Sequence, residues 1–152
     1  MKHHLLGIDL GSSFIKASLL EAASGEVIAS ASEPATEMEI SSPHPGWAEQ
    51  DPLSWWKYLV LATRRVVKES GVQPASIETI GISYQMHGLV VVDRNLRVLR
   101  PSIIWCDSRA VDIGERAGRS LNASYVREHL LNSPGNFTAS KLKWVKEHAV
   151  LP

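Results

Sequence analysis

Residues 5–13 read Leu5-Leu6-Gly7-Ile8-Asp9-Leu10-Gly11-Ser12-Ser13, a short apolar strand that carries one acid and ends in a glycine–serine turn. Two further segments follow with alternating polar and apolar residues, at 14–20 and 26–31, and a tight turn at 23–25 separates them. Short alternating runs joined by turn residues are typical of β-strands. The first 31 residues therefore predict three strands in an antiparallel meander.

A long loop and then a helix follow the meander. Residues 33–49 contain three prolines and Gly46, so we expect a loop there, and long loops inside compact domains are usually functional. Asp51 can cap the next helix, Pro52 suits its first position, and Ser70-Gly71 can end it. One stripe of this helix is predicted to be buried: Leu53, Trp56, Val60, Thr63 and Val67.

The second half of the chain alternates between strands and helices. A strand is predicted at 77–84, with shorter ones at 89–92 and 101–105. The pattern is helical from Ala110 to His148, with an interruption at Pro134-Gly135. The helix after Asp51 then acts as a crossover between the meander and the strand at 77–84. This order predicts an α/β fold in a single domain.

Composition narrows the class of function. The 152 residues include 16 basic and 16 acidic ones, so the chain has no net positive field for nucleic acid or an anionic membrane surface. No apolar run is long enough to span a membrane, and the early Asp9 argues against a signal peptide. The single cysteine, Cys106, suits a cytoplasmic location. A small neutral substrate fits this composition best.

Polar residues at the end of the first strand are the first candidates for chemistry. Gly11, Ser12 and Ser13 form a turn whose amides can bind phosphate oxygens, while the carboxylate of Asp9 can hold a hydrated Mg²⁺. A plain β-hairpin with Asp9 as a turn residue explains the same pattern. The stretch has neither the glycine spacing of a dinucleotide-binding fingerprint nor the Gly-Lys-Ser/Thr of a P-loop.

Four segments together resemble a known family. The opening resembles the phosphate-binding start of the actin, hexokinase and heat-shock ATPase superfamily. The other three are Gly46-Trp47-Ala48-Glu49-Gln50-Asp51-Pro52, Gly81-Ile82-Ser83-Tyr84-Gln85-Met86-His87-Gly88 and Leu99-Arg100-Pro101-Ser102-Ile103-Ile104-Trp105-Cys106-Asp107-Ser108-Arg109. Their order and spacing resemble the FGGY carbohydrate kinase family, and Gln85–Gly88 is most similar to its xylulokinase branch. Cys106 departs from the pattern, which has Asn there.

The resemblance implies a ribonuclease H-like lobe and a set of site residues. Met86 and His87 would bind the sugar with support from Gln85, and Trp105, Asp107 and Arg109 would line or brace the same cleft. Other readings stay open from the residues alone. His87 could be a turn histidine, Trp105 could be core packing, and Asp107 with Arg109 could form a local salt bridge or a helix cap. Trp47, Trp55 and Trp56 are expected to pack.

The resemblance also implies a reaction. Residues 1–152 would be the N-terminal sugar-binding lobe, incomplete without a C-terminal ATP-binding lobe that carries the catalytic aspartate. The whole enzyme would use ATP and Mg²⁺ to phosphorylate a ketopentose, D-xylulose above all, and we expect residues 1–152 alone to be inactive. Two alternatives are kinases of ribulose, gluconate or glycerol, and a non-catalytic fragment that self-associates as a homodimer.

Overall fold

A computed structural model describes residues 3–148, and these form two compact units. The first unit contains residues 3–39 and 53–85, and the second contains residues 40–52 and 86–148. Each unit has its own cluster of buried apolar side chains. No helix within these described residues is both long and apolar enough to cross a bilayer. The assignment of residues 1–152 to one lobe stays a prediction.

The regular elements follow the predicted order along the chain. The strands are β1 (His4–Leu10), β2 (Ile15–Glu21), β3 (Val27–Glu33), β4 (Glu49–Gln50), β5 (Ile77–Tyr84) and β6 (Ser102–Ile103). The α-helices are α1 (Pro52–Ser70), α2 (Val111–Ser120), α3 (Ala123–Tyr125) and α4 (Thr138–His148). Shorter helical turns cover Pro74–Ser76, Val126–Leu130 and Pro134–Asn136.

The first unit contains a four-stranded mixed sheet in the order β3-β2-β1-β5. β1, β2 and β3 pair in antiparallel fashion, which confirms the predicted meander. β5 runs parallel to β1, so the chain must cross over between them, and α1 lies in that connection. The predicted strand at 77–84 and the predicted crossover helix are both confirmed.

The core of the first unit lies between one face of the sheet and α1. Its fully buried members are Leu6, Ile8, Ala17, Leu19, Ala31, Ala62 and Val66. The strand members follow the period of two that places alternate side chains on one face. The helix members are small or branched, which lets α1 approach the sheet closely.

The predicted buried stripe of α1 is wrong. Trp56 is 65% exposed and Leu53 is 62% exposed, whereas Ala62 and Val66 are fully buried. Apolar residues occur on all sides of this helix, so two stripes satisfy the 3.6-residue period. The sheet packs against the stripe with the smaller side chains. The predicted helix bounds are correct, since α1 begins at Pro52 and is followed by Gly71 with φ of 66°.

The second unit has little regular sheet. β4 and β6 form a two-stranded antiparallel pair, so only two residues of the strand predicted at 101–105 are regular. The strand predicted at 89–92 is wrong, because Leu89 and Val92 each make only an isolated bridge. Pro101 cannot donate a ladder hydrogen bond, which limits β6 at its start. Helices dominate from Val111 onward, as predicted, with a turn at Pro134–Asn136 interrupting them.

Candidate functional site

Asp9 lies next to the end of β1 with an exposed side chain. Its register partners are Lys16 on β2 and Ser83 on β5. Gly7 and Gly81 pair with each other two residues before Asp9 and Ser83, and neither has a side chain to cover this face of the sheet. These residues line a groove of about 500 Å³ that includes the Asp9 carboxylate.

The groove suits a hydrated cation. No group of three or more His, Cys, Asp or Glu side chains among residues 3–148 could hold a metal ion directly. A single accessible carboxylate with open space beside it fits Mg²⁺ that keeps most of its water ligands. The predicted role of Asp9 therefore matches the chemistry of the groove, and it stays a prediction.

The turn after β1 is tight. The Gly11 N–H donates to the carbonyl oxygen of Phe14 over 3.1 Å. A Cβ atom at Gly11 would lie 2.8 Å from that oxygen, so another residue would force the turn open. The carbonyl oxygen of Ser13 accepts a hydrogen bond from the Met38 N–H at 3.0 Å, which anchors the turn's far side. The sharp bend predicted from Gly11, Ser12 and Ser13 is present, and phosphate binding there stays a prediction.

Gln85 joins this end of the sheet through its backbone. Its N–H donates to the carbonyl oxygen of Leu10 over 3.1 Å, just beyond the paired ends of β1 and β5. The first unit thus brings Asp9, the turn at 11–13 and Gln85 to one edge. Ligands of α/β sheets commonly bind at the carboxyl ends of the strands.

The predicted sugar contacts Met86 and His87 belong to the second unit. Met86 is 66% exposed. His87 has φ of 62°, which is uncommon for a residue with a side chain. Its imidazole stacks on the Phe137 ring with centroids 4.7 Å apart and an interplanar angle of 18°. The turn-histidine interpretation is therefore correct as a description of the backbone, and it leaves the ring available for a further role.

Asp107 and Arg109 are buried against each other. Their side chains are 0% and 1% exposed, and the Arg109 Nη2 lies 2.7 Å from Asp107 Oδ2. Asp107 Oδ2 also accepts a hydrogen bond from the Ala48 N–H at 2.6 Å. The local salt-bridge interpretation is confirmed. The helix-cap alternative is wrong, because the residue that precedes α2 is Ala110 and makes no side-chain cap.

Further charges and rings surround Arg109. Its Nη1 lies 2.7 Å from Glu49 Oε1, and Arg100 pairs with the same oxygen at 2.6 Å. The guanidinium lies 3.7 Å from the centroid of Trp47, whose ring meets Trp144 edge-on. The predicted packing role of Trp47 is confirmed. Asp107 and Arg109 are thus both buried and ion-paired, although the Arg109 Nη1 makes no hydrogen bond, while Trp105 keeps 48% of its surface exposed.

Lys141 is a functional candidate that the sequence analysis missed. Its side chain is fully buried, and Nζ donates to the carbonyl oxygens of His87 at 2.8 Å and Ile104 at 2.9 Å. Burial lowers the pKa of Lys141 from 10.5 to about 8, and the nearby Asp107 carboxylate opposes this shift. Lys141 shares the buried face of α4 with Val145, four residues later. A lysine on such a stripe is the signal that could have found it.

The buried ammonium predicts a component of stability that depends on pH. Between pH 8 and 10.5 the unfolded chain binds more protons at Lys141 than the folded chain does. Lys141 therefore makes the free energy of unfolding rise with pH across this window, by on the order of 3 kcal/mol at most. Below pH 8 it makes no contribution to the pH dependence. Thermal melts of wild type and Lys141→Met at about pH 7, 8 and 10 check this. We expect the wild type to gain relative to the variant only above about pH 8, and a constant difference would contradict the assignment.

Comparisons with known proteins match both units. The N-terminal domain of the FGGY family of carbohydrate kinases matches residues 4–150. The chain belongs to the FGGY family of carbohydrate kinases. It is 43% identical to a xylulose kinase of Klebsiella pneumoniae over 145 residues, covering 94% of this chain and 28% of that enzyme. It is 36% identical to a glycerol kinase of Citrifermentans bemidjiense, covering 93% of this chain and 28% of that enzyme.

A solved FGGY kinase confirms the fold class. The xylulose kinase of Brucella ovis superposes with a TM-score of 0.82 at 37% identity, covering 96% of this chain and 30% of that one. The predicted ribonuclease H-like α/β fold and the family resemblance are therefore confirmed. The chain spans less than a third of the length of these FGGY relatives.

Proposed function

We propose that this chain is the sugar-binding N-terminal part of an ATP-dependent ketopentose kinase, with D-xylulose as the first candidate substrate. The similarity to the K. pneumoniae xylulose kinase supports this most directly, because 43% identity extends over 94% of the chain. The match to the family's N-terminal domain, over residues 4–150, includes both candidate sites, Asp9 and residues 85–109. A cytoplasmic location follows from this proposal, since ATP and pentose are available there.

The sugar would bind beside Met86, His87 and Trp105. Met86 and Trp105 offer apolar surface for the C–H faces of a polyol, and the imidazole of His87 can hydrogen-bond a hydroxyl. Gln85 would support this turn from the edge of the sheet. We assign Asp107 and Arg109 a bracing role, because both side chains are buried and already paired. Asp107 accepts a hydrogen bond from the Ala48 N–H, which ties the segment of Trp105 to the loop before α1.

The phosphate groups of ATP would bind at the end of β1. The Gly11 N–H already donates within the turn, so the groups presented to them would be the N–H and O–H groups of Ser12 and Ser13. Asp9 would hold Mg²⁺ through water. When bound, Mg²⁺ neutralises charge on the β- and γ-phosphates. In the transfer, a sugar hydroxyl oxygen forms a bond to Pγ, the bond from Pγ to the bridging oxygen breaks, and ADP leaves. The hydroxyl proton passes to a carboxylate that the family resemblance places beyond residue 152.

An activity panel tests the proposed function. The protein translated from the whole reading frame is incubated with ATP, Mg²⁺ and each of D-xylulose, D-ribulose, D-gluconate and glycerol, and ADP release is measured. We expect kcat/KM for D-xylulose to exceed the others by about 10-fold or more, because a polar site discriminates among hydroxyl patterns. Residues 1–152 alone serve as a control and should release no ADP.

Two other results would change the proposal. Preference for another polyol would retain the kinase and replace the substrate. Absence of phosphorylation with every sugar would contradict the kinase itself and favour self-association as the function. Ile80, Ile82 and Tyr84 of β5 are exposed and could support a homodimer. Light scattering on the same preparations reports it.

A further inference from the structure

Three contacts converge on the His87 turn from the beginning of α4. Lys141 Nζ donates to the His87 carbonyl oxygen at 2.8 Å. Thr138 Oγ1 donates to the Gly88 carbonyl oxygen at 3.2 Å. The Phe137 ring stacks on the imidazole. The backbone and the side chain of His87 are thus both fixed by one short segment that lies fifty residues later in the chain.

The same segment also fixes the backbone beside Trp105. Lys141 Nζ donates to the Ile104 carbonyl oxygen at 2.9 Å, and Asn136 Nδ2 donates to the carbonyl oxygen of Trp105. One buried ammonium therefore ties together the two stretches of backbone that carry the proposed sugar contacts. The bridge between Leu89 and Ile103 already pairs these stretches, and Lys141 extends the link to the carbonyl groups of His87 and Ile104.

The His87 turn needs such a constraint. A φ of 62° is unfavourable for a residue that has a side chain, so the surroundings must hold His87 in this conformation. The carbonyl oxygens of His87 and Gly88 point toward α4 and are satisfied there. Without these donors the carbonyl groups of His87 and Gly88 would lose their partners on α4, and rotation of the peptide plane at His87 would move its ring relative to Trp105.

We propose that Lys141 is a positioning residue for sugar binding, with Thr138 as its second donor. The inference rests on the proposed function, since it assigns these residues to the sugar side of the same site. A buried ammonium can donate three hydrogen bonds, which suits a link between two carbonyl groups. The Asp107 carboxylate lies close enough to favour the charged form, while the Arg109 guanidinium opposes it. Lys141 does not itself touch the reacting atoms in this proposal.

The test uses substitutions in the protein translated from the whole reading frame. Lys141→Met keeps the aliphatic stem and removes the donors. We expect kcat/KM for the sugar to fall about 10²-fold, because small displacements of binding groups are costly. The KM for ATP should stay within about twofold of wild type, since binding at the other substrate site is unchanged. A purely structural role would lower the yield of active enzyme without separating the two KM values.

Thr138 gives a second test that does not bury or remove a charge. Thr138→Val removes one hydroxyl, and we expect the sugar KM to rise about fivefold, the value of one ordinary hydrogen bond. Thr138→Ser keeps the hydroxyl and should restore the wild-type KM. Lys143→Met on the exposed side of α4 is the matched lysine control and should leave both KM values unchanged. If Lys141→Met fails to fold, the Thr138 pair decides the question.

The outcomes separate this inference from the proposed function. A wild-type enzyme that phosphorylates D-xylulose, with unchanged sugar KM in Lys141→Met and Thr138→Val, would overturn the inference alone. Equal increases in the KM values for sugar and ATP would also overturn it. A wild-type protein that phosphorylates no sugar would contradict the proposed function, and the positioning role of Lys141 would then also be lost.

Discussion

Replacing Asp9 by asparagine is expected to lower kcat for sugar phosphorylation about 10³-fold, the upper range for loss of one preorganised electrostatic group. Asparagine has the same shape and keeps one acceptor oxygen, so the change removes the negative charge. Phosphoryl transfer depends on positioning and charge stabilisation more than on covalent chemistry by the protein. Loss of the carboxylate should therefore act on the transfer step.

The surroundings of Asp9 make this result interpretable. Its side chain is exposed and lies between Lys16 and Ser83 on the face of the sheet opposite the core. Asparagine there should leave the fold intact, so the melting temperature of the variant should match that of wild type. The KM for D-xylulose should also be retained, because the proposed sugar contacts belong to residues 85–105.

Steady-state kinetics across a series of Mg²⁺ concentrations measures the effect. We expect the variant to need more Mg²⁺ for half-maximal rate, since a ligand for the hydrated ion is lost. Asp112→Asn, at an exposed position in the first turn of α2, is the matched control and should keep full activity. A kcat for Asp9→Asn within about threefold of wild type would show that Asp9 is only a turn residue of the hairpin.

The sheet of the first unit could be predicted from the sequence because its signals are local. β1, β2 and β3 alternate with a period of two and are joined by turn residues, and β5 is bounded by Pro74 and by Gln85. Pro52 gave the start of α1. Its buried face could not be predicted, because apolar residues surround the helix. Only packing against Ala17 and Leu19 decides that Ala62 and Val66 lie inside.

The site in the second unit was less accessible to sequence reasoning. The motifs around His87 and Trp105 indicated which residues would contact a ligand, but they carried no information about what holds them. That support comes from Phe137, Thr138 and Lys141, far along the chain. A lysine in a helix is expected at the surface. The stripe shared with Val145 could have indicated that Lys141 is buried, but the local pattern does not show which carbonyl groups it binds.

The buried ion pair of Asp107 gives the second large effect. We expect Asp107→Ala to lower the free energy of unfolding by about 3–5 kcal/mol, because the change removes the carboxylate that hydrogen-bonds the buried Arg109 guanidinium and leaves a cavity beside it. The Ala48 N–H and the Arg109 backbone N–H would each lose their acceptor as well. Urea unfolding of the wild type and the variant, followed by tryptophan fluorescence, measures the difference.

Asp93 supplies a comparison in the same unit. Its carboxylate also accepts two backbone hydrogen bonds, from Asn95 at 2.7 Å and Arg97 at 2.9 Å, but it lies in an exposed turn. Asp93→Ala should therefore cost about 1 kcal/mol, the value of an ordinary hydrogen bond in contact with water. A larger loss at Asp107 than at Asp93 would locate the effect in the burial of charge.

Asp107→Ala also distinguishes a bracing role of Asp107 from direct sugar binding. If Asp107 braces the Trp105 segment, Asp107→Ala mainly lowers the free energy of unfolding. Its sugar KM then changes only through displacement of Trp105. If Asp107 touched the sugar directly, the variant would unfold like wild type and lose sugar affinity. The 0% exposure of the Asp107 side chain favours the first result, because a ligand could reach this carboxylate only by displacing Arg109 or the Ala48 N–H.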